Sequence, residues 1–289
     1  MANYKDIITG TLNSLVEKAK DVAKSDAVTD FTGKVRSAAE NTGILEVYQK
    51  GAAKTKAYGS IAKLSSDVEA TDYKGAYIVT EWGPTGWWET DYTSWGAPIE
   101  QTSEEKRQIY EHRYTVDIMS SNRCLGSYCF LWGQKEERTP TWFCMFVERG
   151  VDGLPLNAEK TPMIEAMQRS WTGSEPKDTA PVVESMTANG IVALDSPTFA
   201  KNSPVTFEVK SHDRENDIDH YVWEVLYEAT VTATGGAWEP RPERIGEVVT
   251  TTEGTFTVEF KQSNNYRVYC YILDKSGYAA TVNIPIRVE

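Results

Sequence analysis

Between residues 195 and 289 apolar and polar positions alternate with a period of two, in "VTFEVKS", "HYVWEVLYEA", "GTFTVEF", "YRVYCYILD" and "ATVNIPIRV". Turn-forming stretches such as "NSP", "TGG" and "KSG" separate these runs. Several short strands at this spacing predict an antiparallel β-sandwich of immunoglobulin-like type. Ahead of it, "EPKDTAPVVESMTANG" reads as a linker.

Residues 71–180 follow a different rhythm. "GAYIVTEWG" and "CLGSYCFLWG" are near-continuous apolar runs that predict strands covered on both faces. Between them "TSEEKRQIYEHRYTVDIMSS" places Ile109, Tyr110, Tyr114, Ile118 and Met119 on one helical face. Thr102 or Ser103 is its N-cap, with Glu104 and Glu105 favourably placed in the first turn. A shorter helix, "TPMIEAMQRSWTG", closes the segment with Pro162 near its start. The succession βαβα implies parallel strands joined by a helical crossover.

Residues 1–70 contain no Pro, Trp, Cys or His. Ile8, Leu12, Leu15, Ala19, Val22 and Ala23 recur at helical spacing, and a second helical run covers 43–68. Gly33 and Gly43 interrupt the pattern, so two or three helices are expected, with a thin, Ala-rich apolar stripe. It reads as a marginal helical hairpin, or as an arm for oligomerisation. The fold class is thus α+β and multidomain: a helical arm (1–70), a β/α segment (71–180) and a sandwich (181–289).

Charge narrows the partners. Residues 1–70 hold 10 basic against 9 acidic side chains, leaving 20 against 33 for the rest, and the net charge is -12. Such a chain is poorly suited to nucleic acid or to an anionic membrane surface. No stretch approaches the roughly 20 apolar residues of a membrane span. The start, "MANYKDIITGTLNS", lacks a signal peptide's apolar region, so a cytoplasmic location is the default; a secreted parent that lost its N-terminus would read the same. Cys124, Cys129, Cys144 and Cys270 have no metal-binding spacing and read as buried thiols. No cofactor motif is present: neither GxGxxG, nor a P-loop, nor a Ser/His/Asp arrangement.

The chemistry concentrates in "YIVTEWGPTGWWETDYTSWG", where Glu81 ends a strand-like run and four tryptophans follow. Seven of the nine tryptophans lie within 71–180. Trp82, Trp87, Trp88 and Trp95 suit either a core corner or a sugar site, where flat indoles stack on pyranose rings. The Gly/Pro setting of "PTGWW" favours exposure of one of Trp87 and Trp88. In "WGQKEERTPTW", read as a loop, Trp132, Gln134, Lys135, Glu136 and Arg138 are candidates to meet sugar hydroxyls; the alternative is a salt-bridged rim, favoured for Glu137 and Arg138. "HDRENDIDHYVW" carries Asp213, Glu215, Asp217 and Asp219 at alternate positions, weak candidates for Ca²⁺ against a plain acidic turn.

Longer strings carry a family resemblance. "YKGAYIVTEWGPTGWWETDYTSWGAPIEQTSEEK", "RCLGSYCFLWGQKEERTPTWF", "WTGSEPKDTAPVV", "SHDRENDIDHYVWEV" and "GYAATVNIPIRV" together resemble the C-terminal part of bacterial glycoside hydrolases of the family 2 type, TIM-barrel proteins with a terminal β-sandwich. The resemblance covers residues 72–289, not the helical arm. It implies that Glu81 matches the nucleophile at the end of barrel strand seven and that Trp132 floors the subsite after strand eight. Retaining hydrolysis needs a second carboxylate about 5–5.5 Å from the first. In the family that acid/base lies upstream of everything that matches here; Glu89, Glu100, Glu136 and Glu137 are nearby carboxylates that spacing does not discriminate. A barrel needs about 250 residues, so only its last two β/α units are expected. Two readings follow: a retaining O-glycosidase whose chemistry is incomplete in this chain, or a non-catalytic carbohydrate-binding or interaction protein derived from a hydrolase tail. Carbohydrate is the expected partner, with self-association through open sheet edges or the helical arm.

Overall fold

A computed structural model describes residues 64–231 and 237–289. The expected helices of residues 1–63 lie outside the described residues; α1 (Leu64–Glu69) is the first described element. The chain divides into two compact units, the first drawing its described residues from 64–83, 110–130 and 169–174, the second from 84–109, 131–168 and 175–289.

In the first unit, β1 (Tyr77–Trp82) pairs in parallel with β2 (Cys124–Cys129), as the apolar runs predict. The pairing is irregular, with register shifts after Tyr77 and after Val79. Burial is less complete than expected. Tyr77, Val79, Trp82 and Cys124 are buried, but Thr80 and Glu81 face solvent and Tyr128 is 66% exposed. Among the described residues the parallel pairing stops at two strands, so a β/α unit is present and a barrel is not.

α2 (Ser103–His112) runs into a π-helical turn, Arg113–Ile118, marked by the Met119 N–H bonding the Tyr114 carbonyl at 2.9 Å. The N-cap is Thr102: its hydroxyl accepts the Glu105 N–H (3.2 Å), and the Glu105 carboxylate accepts the Thr102 N–H (2.8 Å). That reciprocal pair is a capping box.

The second unit holds the sandwich. Its smaller sheet runs β10 (Thr255–Glu259), β7 (Pro204–His212), β5 (Val182–Ala188). The larger runs β6 (Thr198–Phe199), β12 (Ala279–Val288), β11 (Asn264–Asp274), β8 (Ile218–Tyr227), β9 (Val249–Thr251). All pairings are antiparallel except that of β6 with β12. The period-two pattern is fulfilled: Val205, Phe207 and Val209 of β7 meet Trp223, Val268, Cys270, Ile272, Ile284 and Ile286 in one core. Each such side chain contributes about 1.5–3 kcal/mol when fully buried.

One expectation changes. The segment read as a linker contains β5, a full partner of β7. The other face of the larger sheet is also covered, because Val147, Leu154 and Leu156 pack on Val222, Leu226, Tyr269, Tyr271 and Leu273. Gly254 is required where β10 begins: a β-carbon there would lie 2.4 Å from the Val209 carbonyl oxygen.

The stretch read as a polar loop after Trp132 is a β-hairpin, β3 (Gln134–Glu137) with β4 (Thr139–Cys144), turning at Arg138 with φ 63°. A buried polar network fastens it to the sandwich. The Glu100 carboxylate accepts from Lys106 Nζ (2.5 Å), the Thr139 and Thr141 hydroxyls (2.6 and 3.1 Å) and Asn283 Nδ2 (2.6 Å). Burial opposes its ionisation, but Lys106, the Thr139 hydroxyl and the charge of Arg267 outweigh that and hold Glu100 below the ordinary carboxylate range. Buried Arg267 continues the network, donating to Glu228, Asn283 and the Pro98 carbonyl.

Candidate functional site

The sugar-site candidates divide between the two units. Glu81 lies near the end of β1 in the first, solvent-facing. Its neighbour Trp82 is 3% exposed, with Tyr110 and Tyr114 at ring-centroid distances of 5.2 and 6.2 Å. Trp82 therefore fills the core of that unit, the packing alternative its sequence left open.

The remaining candidates belong to the second unit, on the loop after Pro84 and on the hairpin. A turn closed by the Glu89 N–H on the Gly86 carbonyl (2.9 Å) presents Trp87 and Trp88. Trp88 is 54% exposed, and its indole lies over Gly86 so closely that a β-carbon there would sit 2.5 Å from the ring. Trp87 stands edge-on to Trp88, with centroids 5.5 Å apart and planes at 87°. Trp87 is itself fixed: its indole N–H donates to Glu137 (3.3 Å), the Arg138 guanidinium covers its ring at 5.6 Å, and its carbonyl accepts the Tyr92 hydroxyl (2.7 Å). The loop is anchored from below by buried Trp142, whose N–H reaches the Thr85 carbonyl at 2.9 Å.

Trp132 repeats the arrangement. It is 55% exposed and braced edge-on by Phe146, centroids 5.6 Å apart at 79°. Lys135 pairs with Glu137, and the Gln134 amide spans the hairpin to the Pro140 carbonyl at 3.2 Å. Glu137 is salt-bridged to Lys135, whereas Arg138 covers the Trp87 ring, and both side chains brace Trp87. Trp238, which the sequence reading did not single out, is 81% exposed.

The four carboxylates that spacing did not discriminate now differ. Glu100 is locked to Lys106, Glu137 to Lys135 and Trp87, and Glu89 accepts the Gly86 N–H (3.2 Å). Glu136 is left with both carboxylate oxygens buried and no hydrogen-bond partner. Burial, then the charge of Glu148, push it up to about 8; Arg241 opposes this, while Glu239 and Glu100 add to it. At neutral pH Glu136 is a carboxylic acid. Beside it Arg241 grips Glu148 through paired bonds (3.0 and 3.0 Å) and also holds buried Glu224.

Of the acidic run after β7, Glu215 turns aside, accepting the Thr179 hydroxyl (2.9 Å) and pairing with Arg214. Asp219 lies on β8 against His220. Asp213 and Asp217 instead converge with Asp274, far along the chain. No helix among the described residues is long and apolar enough to cross a membrane.

No protein family and no curated protein matches this chain. Among solved structures, one described by "the promiscuous specificity of the carbohydrate-binding modules from the beta-sandwich super family" is similar at 22% identity and TM-score 0.28, over 39% of this chain and 36% of that one. This chain thus spans about a third of that structure's length. The PKD1 domain of the Vibrio cholerae metalloprotease PrtV is similar at 19% identity and TM-score 0.24, over 38% of this chain and 98% of that one. The CARDB domain of the Pyrococcus furiosus PF1109 protein, solved with di-metal ions, is similar at 11% identity and TM-score 0.23, over 40% and 97%. At TM-scores this low the sandwich stands on its own strand pairing.

Proposed function

We propose that this protein binds carbohydrate through the exposed indoles of Trp88 and Trp132, without catalysing its cleavage in this chain. The observation that carries the reading is the seating of Trp88: a half-exposed ring lying close over Gly86 and set edge-on to Trp87. A rigid ring loses little entropy when a pyranose face stacks on it. Gln134, Lys135 and Glu137 of the hairpin that follows Trp132 supply polar atoms. The family resemblance of the Trp-rich strings supports the same substrate class. Titration of the full chain with a panel of oligo- and polysaccharides, followed by tryptophan fluorescence and calorimetry, tests it. Trp88→Ala and Trp132→Ala each weaken binding about tenfold, roughly 1.4 kcal/mol for an anchoring aromatic. No saturable response to any glycan overturns the proposal.

Hydrolysis with Glu81 as nucleophile is the second reading, favoured by the solvent-facing position of Glu81 near the end of β1. It requires a second carboxylate in reach. Turnover of aryl β-glycosides abolished by Glu81→Gln supports it; turnover that survives this substitution rejects Glu81, and no turnover leaves the binding reading alone.

A further inference from the structure

Asp213 follows β7, Asp217 precedes β8 and Asp274 ends β11. One carboxylate oxygen from each lies within 4.8 Å of the others. Each side chain uses its two oxygens differently. Asp213 Oδ1 accepts the N–H groups of Glu215 (2.8 Å) and Asp217 (3.3 Å). Asp274 Oδ1 accepts those of Ser276 and Tyr278, both at 2.8 Å, and shapes the β11–β12 turn. Asp217 Oδ2 accepts the Ser276 hydroxyl at 3.2 Å.

The second oxygens are Asp213 Oδ2, Asp217 Oδ1 and Asp274 Oδ2, and all three are buried without a hydrogen-bond partner. Asp213 and Asp274 are only 7% and 8% exposed, so two of these bare oxygens belong to side chains more than nine-tenths buried. Among the described residues no lysine or arginine is ion-paired to any of the three. Burial first, and then the charge of Asp217, push Asp213 and Asp274 upward. A fold that buries bare carboxylate oxygens together carries a large electrostatic penalty unless a cation sits among them.

We propose that Asp213, Asp217 and Asp274 form a divalent-cation site of the calcium class. The donors are all hard oxygens, with neither His nor Cys among them, which suits Ca²⁺ rather than a softer metal. Three carboxylates leave further positions for water and carbonyl oxygens within the 6–8 that calcium takes. The ion ties two sheets together at one end of the sandwich, since β7 belongs to the smaller sheet and β8 and β11 to the larger. This role is independent of carbohydrate binding.

The test is calorimetric titration of the full chain with calcium chloride after treatment with a chelator, together with thermal melts. One-to-one binding and a melting temperature raised by calcium are expected. Asp217→Asn and Asp274→Asn each weaken binding about tenfold or more, while Glu215→Gln, outside the cluster, stays within about twofold. Asparagine keeps one side-chain oxygen at each position to accept the bonds from Ser276 and Tyr278, and circular dichroism verifies that both variants fold. A folded wild-type chain with neither heat nor a shift in melting temperature up to about 10 mM Ca²⁺, well above the range of weak calcium modules, overturns the proposal. So does equal loss from Glu215→Gln, or a cluster stabilised only by acid, which would mean the carboxyls share protons instead.

Discussion

The indole of Trp88 lies over the α-carbon of Gly86, and a β-carbon added there would meet the ring at 2.5 Å. This contact is what turns a surface tryptophan into a fixed plane. Gly86→Ala pushes against the outer edge of a half-exposed side chain, which swings aside with little strain. Thermal stability is expected to change by less than about 1 kcal/mol, as for other surface substitutions, whereas glycan affinity falls about as far as in Trp88→Ala. Paired melting and binding measurements separate the two. Lost affinity with an unshifted melting curve is the expected result; unchanged affinity removes the platform argument.

Glu100 and Lys106 form a buried pair in which each side chain is 1% exposed. Lys106→Met leaves the carboxylate facing Thr139, Thr141 and Asn283 without its cation, and breaking such a pair costs about 3–5 kcal/mol. Adding Glu100→Gln to Lys106→Met restores part of the loss, because the uncompensated charge is gone. Chemical denaturation of the two variants checks this. The pH dependence has a defined sign: Glu100 is held below its unfolded value, so its contribution is full above the unfolded pKa and disappears as pH falls through the folded one.

Much of the sandwich was legible because its strands alternate with period two and end in turn residues. β5 was hidden by the proline-rich run ahead of it, and the covered second face of the larger sheet by the irregular segment at Val147–Leu156, whose apolar residues have no period. The hairpin escaped because its polar side chains are buried by partners distant in sequence, as Thr139 and Thr141 are by Glu100. The same reason explains the sites. Local spacing grouped Glu215 with Asp213 and Asp217, but the third member of the cluster is Asp274, which only the pairing of β8 with β11 brings near. Glu136 could not be separated from three neighbouring carboxylates by spacing, since what distinguishes it is its lack of partners.

Thr102 caps α2 through a reciprocal bond with Glu105. Thr102→Ala removes the hydroxyl acceptor for one helix N–H and is expected to cost about 1 kcal/mol, with Thr102→Ser close to neutral. Urea denaturation of the two variants against wild type measures the difference. Equal losses in both would assign the effect to the threonine methyl group rather than to the cap.

Glu136 gives the pH dependence of this fold its second component, opposite in sign to that of Glu100. Its carboxyl titrates at about 8 in the folded chain against an ordinary value of 4.5. From about pH 4.5 upward the unfolded chain releases this proton while the folded chain keeps it. The folded state then holds more protons, and stability declines with rising pH until about pH 8, by up to roughly 1.4 kcal/mol per unit from this group alone. Above that the penalty is constant. Glu136→Gln keeps the shape and has no proton to lose, so the variant should equal wild type near pH 4.5 and exceed it at pH 8 by about 2 kcal/mol, a figure discounted for relaxation around the charge. Parallel denaturation series at the two pH values decide it. A variant no more stable than wild type at pH 8 would mean that the Glu136 carboxyl reaches solvent or a cation in the folded chain.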